Sequence, residues 1–147
     1  MSKAEDAEIL LVEDNPNDVE LTLRALRKQN LDNKVFVVRD GAEALEFLFA
    51  SGSYSARKID FKPKVVLLDL KLPKVDGIEV LRRVKADERT RSIPIVMLTS
   101  SQEERDVLET YRLGVNSYIV KPVDFSNFVH AVGELGIYWN MLNRLPY

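Results

Sequence analysis

Five side chains that could carry out chemistry follow directly after short apolar segments of this sequence. Glu13 and Asp14 follow one segment, and Asp69, Thr99 and Lys121 each follow another. In an open parallel sheet, ligands bind beyond the carboxyl ends of the strands, so these side chains are expected to meet at one edge. Three carboxylates in a partly desolvated pocket repel one another, and a hard divalent cation with oxygen ligands is the usual remedy. The set therefore predicts a magnesium site that also handles phosphoryl groups.

Two other kinds of phosphate chemistry are disfavoured by the loops at this edge. A nucleotide or flavin site would place a glycine-rich or hydroxyl-rich loop after the first strand, but this chain has the acidic segment Glu13-Asp14-Asn15-Pro16-Asn17 there. That loop repels phosphate unless a metal intervenes. A phosphohydrolase with an aspartate nucleophile would usually carry a second acid two residues after it, whereas Lys71 occupies that position after Asp69.

The elements that must position these residues alternate along the chain. Five short, largely apolar segments predict strands at residues 9–12, 35–38, 64–68, 93–98 and 117–120. Helical spacing of apolar residues predicts helices after Pro16, after Gly41, after Gly77, after Gln102 and over residues 125–132. Such alternation predicts an α/β fold, a doubly wound five-stranded parallel sheet with helices on both faces. Residues 51–63 are too long for an ordinary turn and predict a surface excursion.

Composition narrows the class of protein further. The chain has 147 residues, of which 46% are hydrophobic and 30% charged, as in one globular domain. Its formal net charge of −2 gives no general attraction to nucleic acid or anionic membranes. The absence of cysteine excludes disulfides and thiolate metal sites and fits a reducing compartment. No apolar run approaches the ~18 residues of a membrane span, and the first residues lack the apolar stretch of a signal peptide, so a cytoplasmic location is expected.

Four motifs together resemble a known family. The segments LLVEDN, LLDLKLPKVDG, IPIVMLTSS and NSYIVKP occur in this order, with Thr99 30 residues after Asp69 and Lys121 22 residues after Thr99. From about Glu8 to Gly133 the chain resembles the receiver domain of two-component response regulators. The resemblance implies the flavodoxin-like (βα)5 fold and divides the chain into a tail at 1–7, a receiver domain at 8–133, and an extension of the last helix with an apolar tail at 134–147.

The resemblance also implies roles for the acidic residues. Asp69 would be the phosphoacceptor, Asp14 a direct Mg²⁺ ligand, and Glu13 a ligand acting mainly through water. The backbone carbonyl of Lys71 would be the third ligand from the protein. Glu13 departs from the pattern, because many receivers have Asp there, but the substitution keeps the charge.

The remaining roles implied by the resemblance concern a change of conformation on phosphorylation. By resemblance, Thr99 and Lys121 would bind the phosphoryl oxygens, and the bond between Lys121 and Pro122 would be cis. Tyr118 would turn inward on activation, because Thr99 would vacate space as it moves toward the phosphoryl group. The readout surface would then be formed by the fourth helix, the fifth strand and the fifth helix.

These roles imply a phosphorelay protein that takes its phosphoryl group from a sensor histidine kinase. It would be no enzyme beyond catalysing its own phosphorylation and autodephosphorylation. Only about a dozen residues follow Gly133, so we expect no DNA-binding or enzymatic output domain and no nucleic-acid partner. The aromatic pair Tyr138-Trp139, the Leu-Pro near the end and the 51–63 excursion resemble the single-domain regulators that pair with phytochrome-type kinases in cyanobacteria. The alternative is a constitutive interaction module with a vestigial pocket.

The last residues are unusually apolar for an end segment and predict an interface. Aromatic and Met side chains are enriched at interface centres, so we expect a homodimer formed by the readout surface and the tail. Packing of the same side chains within one molecule is the alternative. The predicted interface residues are Tyr138, Trp139, Met141, Leu142 and Leu145.

Overall fold

A computed structural model describes residues 3–100, 112–115 and 117–136. Its centre is a five-stranded parallel sheet in the order β2-β1-β3-β4-β5. This confirms the predicted doubly wound α/β fold. The strands are β1 Ile9–Val12, β2 Val35–Val38, β3 Val65–Asp69, β4 Ile95–Thr99 and β5 Ser117–Val120.

Two strands end one residue later than the apolar pattern predicts. Asp69 is the last residue of β3 and pairs with Leu98, and Thr99 is the last residue of β4 and pairs with Val120. The backbone ladder thus continues through both polar residues. Strand pairing therefore fixes the backbone that carries each side chain, and sites built on strands are placed more precisely than sites on loops.

Four described helices cover the two faces of the sheet, and caps explain where three of them begin. Asn15 caps the first, Asp40 the second and Asp124 the fourth, each by accepting a backbone N–H of the first turn. Among the residues described, no helix is long and apolar enough to cross a bilayer. The fourth predicted helix, after Gln102, lies outside the described residues. The helices are α1 Pro16–Arg27, α2 Gly41–Leu48, α3 Gly77–Ala86 and α4 Phe125–Glu134. The fifth predicted helix is therefore the one labelled α4.

The core consists of two layers, one on each side of the sheet. Leu11 of β1 points into the layer that packs against α1 and α4, where Leu26 and Phe128 are buried. Leu10 points into the layer beneath α2 and α3, where Phe47 is buried. Because both faces are covered, the central strands are apolar throughout, and truncating one such leucine to alanine costs about 2–5 kcal/mol.

The excursion at 51–63 is largely exposed, as predicted, but it is anchored at two points. Tyr54, in the 3₁₀ turn Gly52–Tyr54, packs edge-on against Phe36 and Phe47. The Arg57 guanidinium lies 3.8 Å above the Phe47 ring and donates hydrogen bonds to backbone carbonyls. The excursion therefore has a defined attachment to the α2 side of the sheet.

Candidate functional site

The carboxyl edge of the sheet brings together the reactive side chains that follow or end four strands. Glu13, Asp69 and Thr99 are buried there, Lys121 is half-buried and Asp14 is exposed. The backbone N–H of Lys121 donates to the Thr99 carbonyl at 2.8 Å, so β5 delivers the lysine directly beside the end of β4. The structure thus places all five residues at one edge.

Lys121 is the centre of this arrangement. Its ammonium nitrogen Nζ lies 2.9 Å from Glu13 Oε1, 3.0 Å from Asp69 Oδ2 and 3.3 Å from Asp18 Oδ2. An ammonium group has three N–H donors, and here three carboxyl groups surround it. The lysine therefore offsets part of the repulsion that the sequence predicted among the acids.

Burial and neighbouring groups shift the pKa of two of these residues. Burial and hydrogen bonding with Asp69 raise the pKa of Glu13 to about 8, although Lys121 acts in the opposite direction. Burial by itself would lower the pKa of Lys121, but its hydrogen bonds to Glu13 and Asp69 outweigh that effect and raise it. Near pH 7 Lys121 is therefore charged, whereas the Glu13 carboxyl group is largely protonated when no metal is present.

The acidic residues fit a hard divalent cation. Glu13, Asp14 and Asp69 each offer a carboxylate oxygen, and these oxygens lie within 4.8 Å of one another. Carboxylate oxygens are the ligands that Mg²⁺ prefers, and few of them suffice because the ion keeps several waters. Asp14 and Lys71 also line a groove of about 300 Å³ beside the cluster. The donor set and the open side of the site therefore fit a hard divalent cation.

Backbone groups hold the two buried carboxylates in place. Asn15 N–H donates to Glu13 Oε2 at 3.3 Å, and Lys71 N–H donates to Asp69 Oδ1 at 3.2 Å. The loop after Asp69 packs closely against Gly77, where an added Cβ would lie 2.2 Å from the Asp69 carbonyl oxygen. Glycine at this position allows α3 to begin directly against the end of β3.

Thr99 and Tyr118, the two residues predicted to move on phosphorylation, differ in their exposure to solvent. Thr99 is buried, and its hydroxyl Oγ1 donates to the Ser100 carbonyl at 3.0 Å. Tyr118 is 42% exposed and lines a groove of about 400 Å³ between β5 and α4 together with His130. The peptide bond between Lys121 and Pro122 is cis, as the resemblance implies.

One residue at the site was missed by the sequence analysis. Asp18 lies in the first turn of α1, and its carboxylate reaches Lys121 across 103 residues of sequence. Its position four residues after Asp14, on the first turn of a helix that begins at the acidic loop, was the signal that could have found it. Helix α4 ends at Glu134, and the predicted interface residues Tyr138, Trp139, Met141, Leu142 and Leu145 lie outside the described residues.

Comparison with known proteins agrees with this fold. The family model described as the response regulator receiver domain matches residues 9–133. The chain belongs to this family.

Three relatives give a finer comparison. The solved structure of the bacteriophytochrome response regulator RtBRR is 58% identical, with a TM-score of 0.82 over 94% of this chain and 82% of that chain. The phosphorylated cyanobacterial phytochrome response regulator RcpA is 38% identical, with a TM-score of 0.72 over 94% and 95% of the two chains. The probable methanogenesis regulatory protein FilR2 of Methanothrix harundinacea is 42% identical over 94% of this chain and 86% of its own length. The chain is thus similar to regulators of more than one kind of pathway.

Proposed function

We propose that this protein is a phosphorylation-switched response regulator whose phosphoacceptor is Asp69. The observation that supports this most strongly is the environment of that carboxylate, which lies between the Lys121 ammonium at 3.0 Å and the Lys71 N–H at 3.2 Å. It also lies beside Glu13 and Asp14, the other members of the acidic cluster. The receiver function is assigned to residues 8–133, with residues 1–7 and 134–147 as flanking segments.

The proposed step is an in-line transfer from the phosphohistidine of a sensor kinase. A carboxylate oxygen of Asp69 forms a bond to phosphorus while the bond from phosphorus to the imidazole nitrogen breaks. The electron pair of the broken bond stays on that nitrogen, which takes a proton from water. Asp69 then carries an aspartyl phosphate.

The surrounding residues stabilise charge on the transferring group. Glu13, Asp14, Asp69 and the Lys71 carbonyl would hold Mg²⁺, and the bound ion would supply positive charge near the phosphoryl oxygens. Lys121 already touches the attacking carboxylate, so its ammonium is within reach of a group bonded to that oxygen. Because no side-chain movement is needed to bring this charge near, Lys121 contributes preorganised electrostatic stabilisation.

The switch depends on a contact that exists only after phosphorylation. The Thr99 hydroxyl, which donates to Ser100 in this structure, would instead donate to a phosphoryl oxygen. Its movement opens space for the ring of Tyr118, which lies on the outer side of β5. A phosphoryl group can bias two conformations only through such a differential contact, and the surface around β5 and α4 then reports the change to a protein partner.

The kinase partner is proposed to be of the phytochrome type. The support is the 58% identity to the bacteriophytochrome response regulator RtBRR over most of both chains. The interaction is proposed to take place in the cytoplasm.

Intact mass spectrometry tests the function. Wild type incubated with acetyl phosphate and Mg²⁺ is expected to gain one phosphoryl group, and Asp69→Asn is expected to gain none. Asp60→Asn, which removes an exposed carboxylate from the 51–63 excursion, is the matched control and is expected to behave like wild type. A wild type that gains no mass while still binding its partner would instead support a constitutive interaction module with a vestigial pocket.

A further inference from the structure

The ammonium group of Lys121 has three carboxyl neighbours, of which two belong to the acidic cluster and the third, Asp18, does not. Glu13 and Asp69 belong to the acidic cluster that fits a metal ion. Asp18 contacts Lys121 at 3.3 Å but is not part of that cluster, among the residues that the structure describes. Glu13 and Asp69 are therefore shared between Lys121 and a cation, whereas Asp18 is available to Lys121 alone.

This difference affects the position of Lys121 when a divalent cation is bound to the acidic cluster. A divalent cation on Glu13 and Asp69 weakens their attraction for Lys121, and its own charge repels the ammonium group. A lysine side chain on a flexible stem would then leave the pocket for water unless another anion held it. Asp18 is the carboxylate placed to do so.

Asp18 is itself held firmly. Its backbone N–H donates to the Asn15 side chain at 3.3 Å as part of the N-cap of α1. Its carbonyl accepts a hydrogen bond from the hydroxyl of buried Thr22 at 2.8 Å. The Asp18 and Lys121 side chains are 28% and 22% exposed, so water screens their attraction only in part.

We propose that Asp18 is a positioning residue that keeps the ammonium group of Lys121 at the phosphoryl site while a metal ion occupies the acidic cluster. The inference rests on the proposed phosphoacceptor function of Asp69. Asp18 acts through Lys121 and touches neither the metal nor the phosphoryl group. Its loss should therefore slow phosphoryl transfer without weakening metal binding.

The variants Asp18→Asn, Asp18→Glu and Glu20→Gln separate this role from a general charge effect. Glu20→Gln removes one negative charge from the same helix, where Glu20 faces Arg24 at 3.6 Å and makes no contact with Lys121. At saturating Mg²⁺ with acetyl phosphate, Asp18→Asn is expected to take up phosphoryl groups about fivefold more slowly, the effect of losing one partly buried ion pair. Asp18→Glu should recover most of the rate, and Glu20→Gln should match wild type.

Two further measurements make the test specific. The Mg²⁺ affinity, obtained from the rise in thermal midpoint across a Mg²⁺ titration, should change by less than about twofold in Asp18→Asn. In a Lys121→Ala background, Asp18→Asn should cause no further slowing, because the residue through which it acts is absent.

Wild-type phosphorylation rates in Asp18→Asn would overturn the inference and leave the proposed function intact. So would equal slowing by Asp18→Asn with and without Lys121. A wild type that accepts no phosphoryl group would overturn the proposed function, and the inference with it.

Discussion

Lys121 Nζ lies 3.0 Å from Asp69 Oδ2, although 52 residues separate the two in sequence. The phosphoacceptor proposed for this protein is thus already in contact with a cation before any phosphoryl group arrives. The same ammonium contacts Glu13 at 2.9 Å, so two buried carboxyl groups share it. The metal-free site is held together by this lysine.

Replacing the lysine should therefore destabilise the metal-free protein. Lys121→Ala leaves Glu13 and Asp69 buried without their cation, and a loss of about 2 kcal/mol in the free energy of unfolding is expected. Urea denaturation without metal measures it, with Lys28→Ala as the control because Lys28 is exposed. An equal loss in both variants would contradict the role given to Lys121.

Metal binding should depend on Asp14. Mg²⁺ at ten times its dissociation constant stabilises a folded protein by about 1.4 kcal/mol, and Asp14→Asn is expected to abolish most of this gain. Because Asp14 is exposed and close to two other acids, its neutralisation should also raise the metal-free thermal midpoint slightly. Thermal melts with and without Mg²⁺ measure both effects. A variant that keeps the full response to Mg²⁺ would show that the metal lies elsewhere.

The raised pKa of Glu13 predicts a pH dependence. Folding moves this pKa from 4.5 to about 8, so the folded metal-free protein binds the proton more tightly than the unfolded chain does. The stability this contributes is present below pH 4.5 and is lost as pH rises through 8. Metal-free wild type should therefore lose more stability over this range than Glu13→Gln does. Parallel pH profiles for the two proteins would contradict the raised pKa. Since Mg²⁺ prefers the carboxylate, its affinity for wild type should rise over the same range.

The phosphorylated state is expected to be long-lived. The exposed side chain of Lys71, two residues after Asp69, can cover the approach of water, and a charged lysine cannot act as a base. Lys71→Ala should speed loss of the phosphoryl group about threefold, measured as the decay of the phosphorylated mass after the phosphodonor is removed. Lys62→Ala, on the 51–63 excursion, serves as the control. An unchanged decay in Lys71→Ala would exclude shielding by that side chain.

Phosphorylation and dimerisation are expected to favour each other. The proposed movement of Thr99 and Tyr118 takes place beneath the surface predicted to join two copies, so linkage requires the coupling to act in both directions. Sedimentation of wild type with and without acetyl phosphate should show more dimer when phosphorylated. Trp139→Ala and a chain truncated after Leu135 should remain folded, phosphorylatable and monomeric. A wild type that stays monomeric at high concentration in both states would refute the prediction.

Local patterns in the sequence were enough to predict the parallel sheet and the edge that carries the site. A strand such as β1, apolar at every residue, must be covered on both faces, and in a parallel sheet the strands deliver the residues at their carboxyl ends to one side. Glu13, Asp69, Thr99 and Lys121 could therefore be placed together before any distance was known. The helix starts were also local, because capping residues act within one turn.

Only the tertiary structure decided how the charges are paired. That Asp18 contacts Lys121 depends on the angle at which α1 leaves β1, and no pattern within either segment contains that angle. The raised pKa of Glu13 likewise comes from burial and from Asp69, a residue of another strand. Strand order and the pairing that carries β3 through Asp69 are also properties of the assembled sheet. Sequence determines which groups reach the edge, because strand and cap signals are local, whereas side-chain electrostatics depend on distances set by the whole fold.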